Sequence, residues 1–390
     1  MKRKIRRISI FDEFQCVGQR CSINCCQGWK IPINHDVYMK YLHEKGLFGT
    51  KLRVFLKRGE QTASFRSPFG RCPFWGRDRL CSIQKKHGEE YMPAVCVQFP
   101  RQLYNLSFFC EETLYLACPE AVKLFLACVD SVKPFEYHII EDEPDYEVNT
   151  TNDDKNFLDY LVKSREELTG MLRNGMNFDS MAILAYGKDA QDACLNMAVC
   201  DYGREGQDAC LNMAVSKHGR EVRDVHPGSG AFPSPLDYSA DGHYEIGIEK
   251  INKLFFEGFY HPNLRVISNF LHKLCKKYIR EIGILGRLNP GAADKKLLSL
   301  QNGLYQKLPE LDKILNRYFE YYLLTNFLDI YEDYSFTKCL LYGIVKTKMV
   351  ALFLALYAQN KDTIGKEEIA AIIAVYERRA PQMKDALKKL

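Results

Sequence analysis

Ten of the 15 cysteines fall within the first 130 of 390 residues, at positions 16, 21, 25, 26, 72, 81, 96, 110, 118 and 128. Thiolates are soft ligands, and four brought together by folding suit zinc or an iron–sulfur cluster. Three groups carry the pattern: Cys16-x4-Cys21-x3-Cys25-Cys26, then Cys72-Pro73-Phe74 with Cys81-Ser82-Ile83 and Cys96, then Cys118-Pro119-Glu120-Ala121. Only His35, His43 and His87 precede residue 130, which favours ligation by thiolates alone. The eight candidates Cys16, Cys21, Cys25, Cys26, Cys72, Cys81, Cys96 and Cys118 exceed the four that one site uses. Cys25 and Cys26, being adjacent, are not expected both to bind one centre. Any single cysteine is as readily a small core residue as a ligand; clustering makes that reading weak for the set.

Spacing removes several familiar sites. No C-x2-C occurs, so zinc-ribbon and ferredoxin patterns are absent. The C-x3-C-x2-C pattern of enzymes that cleave S-adenosylmethionine reductively starts at Cys21 and Cys25, but Gly28 stands in the third place. No Gly-x-Gly-x-x-Gly follows a strand, and Glu245-Ile246-Gly247-Ile248-Glu249 is too weak a signal to use.

These cysteines need a folded frame, and the composition provides for one: 46% of residues are apolar and 26% charged. An odd number of cysteines with no export signal points to a reducing compartment, and a cytoplasmic protein is expected. Net charge is +5 with a pI near 8.4, short of a nucleic-acid footprint. The most apolar run, Met349 to Ala358, is too short to cross a bilayer, so no membrane partner is expected.

His35 opens a short helix with Val37, Tyr38, Tyr41 and Leu42 on one face. Cys118-Pro119-Glu120 reads as a helix start, continued by Ala121, Leu124, Phe125 and Cys128. Residues 130–154 hold nine acidic side chains against one lysine and read as a solvated connector, with docking of a basic partner as the sharper alternative. Tyr186–Val199 recurs as Tyr202–Val215 with three changes, a tandem duplication read as a loop expansion rather than a partner-binding extension. His226 to His243 reads as a Pro/Gly-rich loop. Four amphipathic helices follow, through Leu264–Tyr278, Leu311–Leu323, Leu341–Leu356 and Ile369–Tyr376. The expected fold is mainly α, with a Cys-rich irregular N-terminal domain organised by a metal cluster and packed on a C-terminal helical domain. The expected divisions are 1–130 for the cysteine domain, 131–185 for the connector and a helix, 186–243 for the duplicated segment and loop, and 244–390 for the helical domain.

Cys21-x3-Cys25-Cys26-x-Gly28-Trp29-x-Ile31, the Cys72-Pro73-Phe74 and Cys81-Ser82-Ile83 pair, Gly88-Glu89-Glu90, Cys96-x2-Phe99-Pro100-Arg101 and Cys118-Pro119-Glu120-Ala121 together resemble the flagellin lysine N-methylase family. The first half also resembles the broader CxxCxxCC-type zinc- or iron-chelating proteins. Further on, Glu320-Tyr321-Tyr322-Leu323 with Asn326 is similar to the family's Glu-Asn-Tyr-Leu segment, with Tyr321 at the Asn position. Arg378-Arg379 lies where the family carries a basic residue. The resemblance implies a structural [4Fe–4S] cluster, S-adenosylmethionine as methyl donor and flagellin lysines as acceptors. It also implies that Arg101, Tyr321 and Asn326 lie near the donor or acceptor, with Trp29 packed beside the cluster. The catalytic base stays unknown, zinc remains the alternative metal, and a non-enzymatic metal-binding or scaffold protein is the alternative function. A redox enzyme is a third, weaker reading.

Overall fold

The computed structural model describes residues 3–28, 30–59, 62–142, 153–181, 299–300, 302–333, 336–359 and 361–378. The duplication, the Pro/Gly-rich loop, the helix expected over 264–278, Trp29 and Arg379 lie outside them. The chain forms two compact units, one from Met1–Asn149, Phe259–Leu308 and Leu352–Lys388, the other from Thr150–Gly258, Pro309–Ala351 and Lys389–Leu390. The fold is mainly α, as expected.

The first unit sets regular strands and helices around the turns and loops that carry Cys16, Cys21, Cys25, Cys26, Cys72 and Cys118. It begins with strand β1 (Arg3–Ile8), then β2 (Pro32–Ile33), α1 (His35–His43), α2 (Gly46–Phe55), β3 (Leu56–Lys57) and β4 (Ala63–Phe65). Next come α3 (Ser82–His87), α4 (Ala94–Gln98), β5 (Arg101–Asn105), β6 (Cys110–Leu114), α5 (Pro119–Ser131) and β7 (Tyr137–Asp142). One sheet has the order β5-β6-β1-β7 and a smaller one β2-β4-β3. β1 runs parallel to β6 and antiparallel to β7. A parallel pair needs a long crossover connection, and here that connection carries every candidate cysteine except Cys118. Ile5 and Ile8 are buried, while Arg6 pairs with Glu111 at 3.2 Å and Arg7 with Glu112 at 2.5 Å.

β7 corrects part of the reading of 130–154 as a connector. Its register sets Asp142 opposite Arg3 and Glu141 opposite Lys4. His138, Ile139 and Glu141 stay exposed on this strand, so the solvated part of that reading stands and the connector part does not.

The second unit contains α6 (Lys155–Arg173), α7 (Leu311–Asn326) and the first part of α8 (Phe336–Ala358). Asp154 caps α6, its carboxylate accepting from the amides of Asn156 at 2.8 Å and Phe157 at 3.1 Å. Leu158, Leu161 and Leu168 bury one face of α6, and Arg165, itself buried, donates to the Leu324 carbonyl at 3.0 Å. α8 is longer and more apolar than the sequence reading allowed. Lys338–Ala358 is long and apolar enough to cross a membrane, but 83% of its most apolar window is buried in the protein. That burial fits the core helix of a globular fold.

Gly343 of α8 faces α7 at a close approach: a Cβ there would stand 2.3 Å from the Tyr322 ring and 2.7 Å from Phe319. Gly343→Leu is expected to destabilise the protein by about 1–3 kcal/mol through overpacking. A chemical-denaturation midpoint equal to wild type would refute this.

α9 (Lys366–Glu377) returns to the first unit and packs on α5. Lys123 bonds Glu367 at 2.8 Å, Lys366 pairs with Asp130, and the Tyr115 hydroxyl donates to the Glu377 carbonyl at 2.6 Å.

Candidate metal centre

Short backbone links hold the cysteine segments together. The Cys72 amide donates to the Cys26 carbonyl at 2.8 Å, and the Gly28 amide to the Gly70 carbonyl at 2.9 Å. Gly28 has φ +88°, a left-handed turn that favours glycine two residues after Cys26. The Trp75 amide donates to the Cys72 carbonyl, and Trp75 pairs with Cys81 in an antiparallel bridge. Cys26, Cys72, Cys81 and Cys96 all pack on one apolar core built from Ile31, Ile33, Tyr41, Phe65, Phe74 and Ile83, among others. Packing that brings residues 26 to 96 together is tertiary, and no local spacing rule reports it.

The thiols of Cys25, Cys26 and Cys72 stand within hydrogen-bond reach. Hydrogen bonds from Cys26 hold Cys25 and Cys72 below the ordinary thiol range, and those same bonds, with burial, push Cys26 upward. Burial raises Cys81 and Cys96, with neighbouring thiols adding to it. Tyr41, whose hydroxyl donates to the Tyr91 carbonyl at 2.5 Å, is raised by burial, with Cys96, Cys81 and Cys72 contributing.

Beside this group lie Cys21 and Cys118. Burial pushes Cys118 up to about 12, and it raises Cys21 as well, while the Arg378 cation opposes both. The Cys21 thiol donates to the Ile23 carbonyl at 3.1 Å. Cys16 is exposed and neighbours Cys21. The structure thus brings the eight candidates into one region, with Cys25 adjoining both groups, and no described cysteine is in a disulfide.

Among the described residues, no three His, Cys, Asp or Glu side chains are arranged to hold a metal ion. The donor chemistry nonetheless fits a thiolate-bound group. Cys25, Cys26 and Cys72 hydrogen-bond to one another, a proton-bearing arrangement that binding must displace. The indole Nε1 of Trp75, in the segment joining Cys72 to Cys81, is buried without a hydrogen-bond partner. A buried donor of this kind calls for an acceptor, and anionic sulfur would supply one.

Sequence reasoning missed Asn24. Its side-chain oxygen accepts from the Cys26 amide at 2.8 Å, and its amide donates to the Arg79 carbonyl at 3.3 Å. The signal was present: Asn between two cysteines forms side-chain turns readily. Arg79 in turn donates to the Cys21 carbonyl.

The other candidates lie elsewhere. Arg101 is exposed on β5, its guanidinium 5.5 Å from the Phe11 ring centre and 5.2 Å from that of Phe14. Tyr321 is buried on α7. Asn326 closes that helix, donating to the Tyr322 carbonyl at 3.2 Å and to the Thr325 hydroxyl at 2.7 Å. Arg101 belongs to the first unit, the other two residues to the second.

No family model matches the sequence, and no solved structure matches it. Curated proteins do. The chain is 31% identical over 139 residues to the flagellar biosynthetic protein FliU of Salmonella muenchen, covering 82% of that protein and 33% of this chain. The chain belongs to the flagellin lysine N-methylase family. Two further members, the lysine-N-methylases of Salmonella typhimurium strain LT2 and Salmonella choleraesuis, are each 32% identical over 138 residues. The match spans about a third of those two methylases, 34% of each, and 33% of this chain.

Proposed function

We propose that the protein transfers methyl groups from S-adenosylmethionine to lysine ε-amines of flagellin, acting in the cytoplasm, with a [4Fe–4S] cluster on the cysteine set as a structural brace. The observation that carries this is the identity shared with FliU and the lysine-N-methylases. Cys25, Cys26, Cys72, Cys81 and Cys96 are the thiols from which the cluster ligands would come, with Cys21 and Cys118 next to them. The cluster would cross-link segments from residue 21 to residue 96 that are otherwise joined by short hydrogen bonds and packing.

Transfer from a sulfonium to an amine is an in-line displacement: the nitrogen–carbon bond forms as the sulfur–carbon bond breaks, and the neutral thioether leaves. The acceptor must first lose a proton, because an ammonium with a reference pKa of about 10.4 has no lone pair. Partial desolvation or a nearby acceptor favours that loss, and holding donor and amine in line supplies much of the remaining rate. Aromatic faces attract sulfonium and methylammonium ions. Two such faces, on the buried rings of Phe11 and Phe14, are already occupied by the exposed Arg101 guanidinium, which leaves Arg101 itself as the group a substrate can reach.

Cluster-loaded protein is expected to bind S-adenosylmethionine in a calorimeter and to incorporate label into flagellin. Loaded protein that does neither would sink this reading. It would leave a metal-binding scaffold, which the partial span of the lysine-N-methylase match favours. Visible absorbance from thiolate–iron bands separates iron from zinc.

A further inference from the structure

Arg378 follows the last turn of α9 and is 7% exposed. Its guanidinium donates to four backbone carbonyls. Nε donates to Ala117 at 3.0 Å, Nη1 to Asn24 at 2.8 Å and Gln27 at 3.2 Å, and Nη2 to Ile23 at 2.8 Å. Three of these acceptors lie in the loop bearing Cys21, Cys25 and Cys26, and the fourth immediately precedes Cys118. Burial lowers the guanidinium's pKa, and Cys25, Cys21, Cys118 and Cys26 oppose that electrostatically. Burying a guanidinium is costly unless its donors are satisfied, and a planar fork fits several carbonyls where an ammonium cannot.

We infer that Arg378 is the positioning residue of the cysteine site: its fork clamps the 21–27 loop against the start of α5, and its charge balances the thiolates that a bound cluster requires. The part of this inference that concerns charge rests on the cluster reading; the clamp does not. α9 itself packs on α5 with Ile369, Ile372 and Ile373 buried, so the fork arrives on a helix held by its core face. A loop that must present several thiols is thereby held from a position some 350 residues downstream in sequence.

The test compares wild type with Arg378→Met and Arg378→Lys, each as the full chain. In metal-free protein, amide exchange of the 18–28 peptide is expected to quicken about tenfold in Arg378→Met and by a smaller factor in Arg378→Lys. The α5 peptide 119–131 reports whether the unit stays folded. Unchanged exchange at 18–28 would overturn the clamp. Should Arg378→Met unfold the α5 peptide as well, Arg378→Lys is read in its place by the same criterion. In protein loaded with iron and sulfide, Arg378→Met is expected to give a more negative midpoint potential, because removing a cation disfavours the more negative reduced state. Arg378→Lys should return the potential towards wild type, a rescue that packing alone would not produce. A potential unmoved in both variants would overturn the charge role. Wild-type protein that takes up no metal would end the cluster reading, and with it the charge role, while the exchange experiment still judges the clamp.

Discussion

Cys72→Ser is expected to purify colourless and to unfold far more easily than wild type, whereas Cys128→Ser keeps both colour and stability. Cys72 is buried, accepts a hydrogen bond from Cys26 and joins two cysteine segments through its amide. In the metal-free state the change should cost about 1–3 kcal/mol, the penalty of a buried hydroxyl that lacks an adequate partner. In the loaded state the loss grows by whatever the metal contributes, since binding free energy becomes folding free energy when the site exists only in the folded chain. The measurement is a denaturant titration of both variants before and after iron chelation. If chelation leaves wild-type stability unchanged and Cys72→Ser still binds metal, the brace is refuted.

Glu320→Ala is expected to be the most damaging single change in the second unit. The Glu320 carboxylate is buried, bonded to Arg173 Nε at 2.7 Å and to Arg317 Nη1. Deleting it leaves two guanidinium groups without that anion. Breaking a buried pair in this way costs about 3–5 kcal/mol, and the partial exposure of Arg173 places the cost towards the lower figure. Glu320→Gln, which keeps the shape and one acceptor, should cost less. A denaturation midpoint for the alanine variant within error of wild type would show that the cluster of charges does not hold α6 to α7. Since Glu320 begins the segment that resembles the family's Glu-Asn-Tyr-Leu stretch, the expected loss would also assign that residue a role in stability.

Local periodicity made the helices legible. The repeats through Leu311–Leu323 and Ile369–Tyr376 become α7 and α9, and Cys118-Pro119-Glu120 starts α5. The strands were harder to see. β1 alternates buried isoleucine with charged residues only loosely, because its arginines are matched by acids on β6. β7 reads as a connector until its register against β1 is known. α2 carries Gly46 and Gly49, residues more typical of turns than of helices, and Gly49 is small because a Cβ there would strike the Glu44 carbonyl.

The cysteine site was legible in the type of residue and not in its arrangement. Counting thiols found the region, since clustering survives in the linear sequence. Asn24 acts through an amide turn and Arg378 through carbonyl oxygens, which every residue carries and no sequence pattern marks. Trp75 was likewise invisible, because an unsatisfied indole emerges only when its surroundings have formed.

The bonds from Arg378 back to residues 23–27 and 117 also bear on biosynthesis. A ribosome releases the cysteines early, but the side chain that fastens their loop emerges only when residue 378 has cleared the exit tunnel. Until then the loop lacks the fork that ties it to the start of α5, so the order of synthesis separates the making of the thiols from the fixing of their loop.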